Sequence, residues 1–584
     1  MKFLAPVLFS TLAVNVAYAE VRMPLIFGDH MVLQQDATLP VWGWADPGER
    51  ISVSFGEQKV TAVGGAKGTW RADLHAITAS NQGQVLTVSG TNTLSFQDVV
   101  VGDVWIASGQ SNMEFGIRDK KPYIAEVDKA ADPLLRFFFV PRTTALTPLA
   151  DILSAPLSYA GETPASVAAE KIPADPYRAT WVLCTSESLR RINRQGLGVV
   201  PYLFSRDIHT HTGRPVGLIQ SAWGGTRAES WTSVSGLKKE PSFTAYVERS
   251  TKAAGAFAQL EATYAQRLAE FAVANGAWKE EVGKPYDKAK DAWRSAVKEA
   301  KAAGQPLPPE PPAPTRRQPS IHPPDNDTNT PGNIFNAMIA PLMPFAIKGA
   351  IWYQGEFNSG GNGGFEYRTL FPRMIEDWRE KWGQGDFPFV FVQLPNYGPL
   401  DTQPSAEGRG WRWTREAQLK ALALPNTAMA VAIDVGDPED IHPLDKFEVA
   451  RRLVLAARRT AYGEQLVASG PIYHAMAVEG GAIRLSFHER GGGLGMGVSP
   501  LQLPGKVRPA ATELRGFGIA GADRNFVWAK AVIDGDSVVV SSDKVPAPVA
   551  VRYDFSNSPQ GNLYNQEGLP AAPFRTDSWD DQDK

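Results

Sequence analysis

Residues 103–114 read Asp103-Val104-Trp105-Ile106-Ala107-Ser108-Gly109-Gln110-Ser111-Asn112-Met113-Glu114. The first five are mostly apolar and of strand length. The rest are mainly small or polar, so a buried strand here runs into a turn and the start of a helix. The same passage recurs. Val216–Gln220 leads into Ser221-Ala222-Trp223-Gly224-Gly225-Thr226-Arg227, and Gly349–Tyr353 leads into Gln354-Gly355-Glu356-Phe357-Asn358. Phe387–Gln393 and Ala428–Ile433 are two further apolar strands. Segments of helical period separate them, such as Arg368–Trp382 with Leu370, Met374, Ile375, Trp378 and Trp382 on one stripe. Alternating strands and helices predict a parallel α/β sheet. Residues at the carboxyl ends of its strands then share the ligand-binding edge.

Outward from this centre the period changes. Val21–Val101 holds short alternating runs (Thr38–Trp44, Ile51–Phe55, Gln84–Val88) broken by Asp-Pro, Gly-Gly and Asn-Gln-Gly. After Val467 the pattern returns in Ala482–Phe487 and Ser537–Ser541. Both flanks read as β-sandwich or jelly-roll modules. Leu237–Asp325 interrupts the centre: Phe257, Leu260, Tyr264, Leu268 and Phe271 mark one helical face, Lys284–Ala303 carries a second, and Gly304–Pro324 is proline-rich. Proline cannot continue a helix, so a helical hairpin closed by a proline strap is expected over 237–325. Met1–Ala19 (one Lys, a short apolar stretch, then Ala17-Tyr18-Ala19) reads as a cleavable signal peptide. It is too short and interrupted for a span of ~20 residues. The expected organisation is 1–19 leader, 20–100 β module, 101–466 α/β domain and 467–584 β module, and the expected location is periplasmic or secreted, with no membrane anchor.

The 584 residues suit roughly two to four domains. With 59 basic against 62 acidic residues there is no electrostatic footprint for nucleic acid. A single cysteine, Cys184, excludes an internal disulfide framework. His30, His75, His209, His211, His322, His474 and His488 are scattered, so no metal site is expected.

Four segments remain that carry chemistry, each after a strand. Ser111 projects from a sheet edge as a nucleophile would, or serves as a helix N-cap. Gly224 and Gly225 permit close backbone approach to a ligand, or form a plain tight turn. Gln354 and Asn358 offer amide donors to a developing negative charge, or cap the next helix. His442 in Asp437-Pro438-Glu439-Asp440-Ile441-His442-Pro443 has acids two and three residues before it, which can hold a histidine's tautomer.

In the order Ser, Gly, Asn, His, these blocks resemble the SGNH hydrolases, specifically the sialate O-acetylesterase-like carbohydrate esterases. The resembling stretches are GDVWIASGQSNME, SAWGGTRAESW, NIFNAMIAPL, AIWYQGEFN, YRTLFPRMIEDWREKW, TREAQ and DIHPLDK, within about residues 102–450. The resemblance implies a flavodoxin-like three-layer α/β/α catalytic domain and a serine esterase that removes O-acetyl groups from an acetylated oligo- or polysaccharide, without cofactor. It implies Ser111 as nucleophile and His442 as general base. It implies Asp440 as orienting acid, with Glu439 the alternative that the superfamily's Asp-x-x-His spacing selects. The oxyanion hole would join the N–H groups of Ser111 and Gly225 to the amide of Asn358 or of Gln354. Phe357 and Arg227-Ala228 depart from the small serine and the Pro-Ile type pair common at these places; the expected substrate is a plant polysaccharide such as xyloglucan, as for many bacterial relatives, or sialic acid. Trp223, Trp231, Trp352, Trp411 and Trp413 are candidate sugar-stacking faces, with core packing expected for most. Two other readings are a non-catalytic carbohydrate-binding protein and an SGNH lipase or thioesterase.

Overall fold

The computed structural model describes residues 20–117, 121–153, 179–192, 196–316, 319, 327–404, 410–497 and 512–579; the leader expected over 1–19 lies outside them. The strands of the central sheet are β1 Thr93–Gly109, β2 Ala131–Phe139, β3 Trp181–Thr185, β4 Val216–Ala222, β5 Gly349–Tyr353, β6 Phe389–Gln393 and β7 Thr427–Val431, in spatial order β7-β6-β5-β1-β4-β2-β3. All pair in parallel except β3, which runs antiparallel to β2. The core order β4-β1-β5-β6-β7 is the flavodoxin-like 2-1-3-4-5 arrangement, and its switch point lies at β1. β2 and β3 are an outer pair that the sequence pattern does not single out.

Strand alternation explains the layers. In β1, Val104 and Ile106 face one apolar core, and Trp105 and Ala107 face the other. β5 does the same with Trp352 on one side and Ile351 and Tyr353 on the other. A sheet covered on both faces needs apolar residues at every position, which is why these strands read as continuous apolar runs. The first core continues without a break into the N-terminal strands through Val41, Val53, Trp70 and Val88. The reason is β1 itself: residues 93–101 pair with the N-terminal strand Ser80–Ser89, and residues 103–109 pair with β4 and β5. Residue 100 thus lies inside one strand that serves both modules.

In the insertion, helical segments Thr244–Ala262, Tyr264–Trp278 and Lys284–Ala303 succeed one another through Thr263 and a π-helical turn at Lys279–Gly283. Backbone dihedrals stay helical at both joints. The arm that returns along this helix is an irregular proline-rich segment rather than a second helix. Trp293 donates to the Pro308 carbonyl, Trp278 to that of Arg316, and Arg316 pairs with Glu281. The helical-hairpin expectation is corrected accordingly: helical periodicity marks which faces are apolar, not where a chain reverses.

At the C-terminus, the sheets Ile472–Glu479/Ala482–His488/Ser537–Ser541/Lys530–Asp534 and Val527–Trp528/Phe517–Ala520/Ala550–Tyr553/Phe574–Arg575 enclose one core holding Leu485, Val538, Ile519 and Val551. Two buried arginines join it to the α/β layer. Arg415 donates to the carbonyls of Leu394 and Pro395 just past β6 and to those of Ser556 and Asn557. Arg452 pairs bidentately with Asp434 at 2.6 and 2.8 Å, and Tyr564 donates to the same carboxylate at 2.9 Å.

Burial raises the pKa of Asp434, but Arg452 and Tyr564 outweigh it and hold the carboxyl below its ordinary value. As pH falls the unfolded chain therefore takes up this proton first. The stabilisation is complete above the unfolded value of about 3.9 and is lost as pH drops through the lower folded value. Melting curves between pH 3 and 7 are expected to show a fall below about pH 4, and Asp434→Asn to lower the midpoint at pH 7 and flatten that fall. An unchanged pH 7 midpoint in the variant would refute the account.

Candidate active site

At the end of β1 the chain turns sharply at Gly109, whose φ is +134° and where a Cβ would come 2.2 Å from the Tyr353 carbonyl oxygen. Only glycine allows this approach, and it delivers Ser111 to the sheet edge as the first residue of a short helix, Ser111–Glu114. Ser111 is partly exposed. Among the described residues neither its Oγ nor its backbone N–H has a hydrogen-bond partner.

The loop after β4 packs directly on it. A Cβ on Gly224 would lie 3.1 Å from Ser111 Cβ and 2.8 Å from Glu114 Oε1. The Gly224 N–H donates to Glu114 Oε1 at 2.9 Å, and Arg142 pairs with the other oxygen of Glu114 at 2.6 Å. Burial raises the pKa of Glu114, an effect that Arg142 and Gly224 partly oppose. Gly225 follows with φ +69° and an N–H without an acceptor among the described residues.

The loop after β5 supplies the two amides, and their bonding separates them. Gln354 is buried; its Nε2 donates to the Thr226 carbonyl at 3.1 Å and to Asn358 Oδ1 at 2.7 Å, while its Oε1 accepts from Tyr367. Both amide hydrogens are committed, as an amide nitrogen has two. Asn358 uses its Oδ1 for the Ala228 N–H and Gln354, and one amide hydrogen for Glu229 Oε2 at 3.0 Å. One amide hydrogen of Asn358 has no acceptor among the described residues.

His442 lies between β7 and the helix Lys446–Tyr462. Its backbone N–H donates to Asp440 Oδ1 at 2.8 Å, and its Nδ1 stands 3.6 Å from the same oxygen. Glu439 only donates its backbone N–H to Asp437, and no contact with the imidazole is seen among the described residues. The His442 ring lies 6.3 Å from that of Phe115, roughly parallel, and Asn112 Nδ2 donates to the Ile441 carbonyl at 3.0 Å. The loop is therefore docked on the Ser111 turn, although no hydrogen bond joins Ser111 to His442 in this conformation. Such bonds are often long or unformed before substrate arrives.

Several polar residues of the motifs have no role implied by sequence yet stand close to the site, namely Asn112, Glu114, Glu229, Glu356 and Lys446. All are buried. Sequence carries a signal for them, since a charge inside a short motif beside a buried strand needs a buried partner, but it does not identify the partner. Of the five candidate tryptophans, Trp231, Trp352, Trp411 and Trp413 are buried and Trp223 is partly exposed. At the rim, Arg227 lies over the Phe357 ring at 4.8 Å, and Phe357 is 41% exposed. No group of three or more metal-ligating side chains is found among the described residues, and none of their helices is long and apolar enough to cross a membrane.

A family model described as carbohydrate esterase, sialic acid-specific acetylesterase, matches residues 329–452. A rat (Rattus norvegicus) sialate O-acetylesterase is 30% identical over 481 residues, covering 77% of this chain and 76% of the relative. The mouse (Mus musculus) protein of the same name is 28% identical over 595 residues, covering 95% and 94%. Among solved structures, a carbohydrate acetylesterase from Xanthomonas citri aligns with a TM-score of 0.70 and 33% identity, over 96% of this chain and 100% of that one.

Proposed function

Because the chain belongs to the sialate O-acetylesterase family and is a carboxylic ester hydrolase, we propose that it cleaves O-acetyl esters of carbohydrates through an acetyl-Ser111 intermediate. Serine's hydroxyl is a poor nucleophile until a base takes its proton. His442 accepts that proton as Ser111 Oγ attacks the acetyl carbonyl. The oxyanion accepts from the N–H groups of Ser111 and Gly225 and from the uncommitted hydrogen of Asn358. His442 then protonates the departing sugar oxygen, and water repeats the sequence and releases acetate. Asp440 holds the imidazole, and Gln354 acts as a brace for Asn358. The observation that carries this reading is the meeting of three loops on Ser111: Gly224 at van der Waals range of its Cβ, and Asn112 bonded at once to the loops of His442 and Glu356.

Acetate release from acetylated xyloglucan, xylan, pectin and sialic acid tests the substrate. The exposed Phe357 ring offers a stacking face to a neutral plant polysaccharide such as xyloglucan, while the Arg227 cation beside it suits the carboxylate of sialic acid, so release from these two is compared directly. No release from any of these, with an active preparation on a nitrophenyl acetate, would refute carbohydrate specificity. Octanoyl esters turned over faster than acetyl esters would favour the lipase reading. Export is part of the proposal and rests on the sequence of residues 1–19, which reads as a cleavable leader; the mature protein is then expected to begin at Glu20.

The orienting acid has its own test. Asp440→Asn is expected to lower kcat about 10²- to 10⁴-fold, because an amide no longer stabilises the charged imidazolium. Glu439→Gln is expected to stay within a factor of two. The reverse ranking would reassign the role to Glu439.

A further inference from the structure

The side chain beside the nucleophile has both amide hydrogens and its oxygen committed. Asn112 has no exposed surface. Its Nδ2 donates to Glu356 Oε1 at 2.6 Å and to the Ile441 carbonyl at 3.0 Å, and its Oδ1 accepts from Lys446 Nζ at 2.6 Å. Lys446 is itself fully buried, with its ammonium over the rings of Phe115 at 5.1 Å and Tyr353 at 5.4 Å. Its backbone N–H donates to the Tyr123 hydroxyl, and that hydroxyl donates to the Leu444 carbonyl.

This arrangement has one low-energy orientation. Flipping the Asn112 amide would set its oxygen against a carboxylate and a carbonyl, and its NH₂ against an ammonium. Each of those contacts is repulsive between groups buried from bulk solvent, where the effective dielectric is low. The amide is therefore locked, and its donor face grips the carbonyl of the residue directly before His442. A cation with no exposed surface is costly unless partnered. None of these bonds touches the Ser111 hydroxyl or the His442 ring.

We propose that Asn112, held in one orientation by Lys446 and Glu356, is the positioning residue that sets His442 against Ser111. It fixes the imidazole through the Ile441 peptide while also tying down the loop that bears Asn358, so nucleophile, base and oxyanion donor are registered by one buried amide. This rests on the roles given above to Ser111 and His442.

The test is steady-state kinetics on a nitrophenyl acetate with Asn112→Ala, Lys446→Met and the double variant. Each single variant is expected to lose at least tenfold in kcat with KM within threefold, because the acetyl ester still binds while the base is misplaced. The double variant is expected to lose little more than the worse single one, since residues acting as one clamp are not additive. Val53→Ala, in the core of the N-terminal module, serves as a control for lost stability and is expected to keep kcat. Single-variant kcat values within twofold of wild type would overturn the proposal. So would fully additive losses, or an equal kcat loss in the Val53 control. Failure of both variants to fold would overturn it too, because the residues would then serve folding rather than positioning. Ser111→Ala assayed alongside separates the two levels: full activity there refutes the catalytic reading itself, whereas an inactive Ser111→Ala with unimpaired clamp variants refutes the clamp alone.

Discussion

Ser111→Ala is expected to abolish turnover of a nitrophenyl acetate, by about 10⁴-fold or more, while leaving the fold intact. The two halves of that expectation have separate causes. Activity goes because the acyl intermediate needs the Ser111 oxygen at the turn after β1; Ser108 is buried inside that strand and Thr226 donates its hydroxyl to the Trp223 carbonyl. The fold stays because Ser111 Oγ has no hydrogen-bond partner among the described residues, so its removal orphans nothing. Ser111 is also only partly buried, and alanine is well suited to a helix start. The unfolding midpoint should therefore move by no more than the roughly 0.5 kcal/mol typical of neutral surface changes. Acetate release within tenfold of wild type, with mass spectrometry confirming the substitution, would remove Ser111 from the mechanism.

Asn358→Ala is expected to cost about 10²- to 10³-fold in kcat, the usual loss for one oxyanion donor. The donor set is what distinguishes it from Gln354. Asn358 keeps an amide hydrogen after bonding Glu229, whereas both hydrogens of Gln354 are bound to Thr226 and Asn358. The Asn358 variant also leaves the Ala228 N–H and one hydrogen of Gln354 without their acceptor, so a stability loss of about 1–3 kcal/mol accompanies the kinetic one. Gln354→Met removes the brace but no donor, and is expected to lower kcat less, by about tenfold at most. The comparison is made at saturating substrate, where only interactions formed in the transition state show. A Gln354→Met variant slower than Asn358→Ala would exchange the two roles.

Much of the fold can be read along the chain. Gly349–Tyr353 occurs as expected to the residue, and Arg368–Trp382 falls within the helix Gly363–Trp382. Strands buried on both faces leave an unmistakable apolar run, and a helix stripe repeats within its own length. The outer pair β2 and β3 is harder to read, because Ala131–Phe139 begins exposed and only its second half is buried. The insertion shows the limit from the other side. Its apolar face is legible, but the reversal is made by the proline-rich segment lying on the helix, and nothing in a local period says so.

The order of the four loops, their residue types and the family they resemble are carried by the linear chain, because motif residues must sit at fixed offsets from strand ends to reach a common edge. Which acid faces the imidazole, which amide retains a hydrogen, and that Asn112, Glu356 and Lys446 meet behind Ser111 are decided only in three dimensions. Asn112 and Lys446 lie 334 positions apart, yet their side chains bond at 2.6 Å. Contacts of that kind depend on how β1, β5 and the helix Lys446–Tyr462 stack. A buried charge reveals that it has a partner, but only the packing of distant elements selects which one.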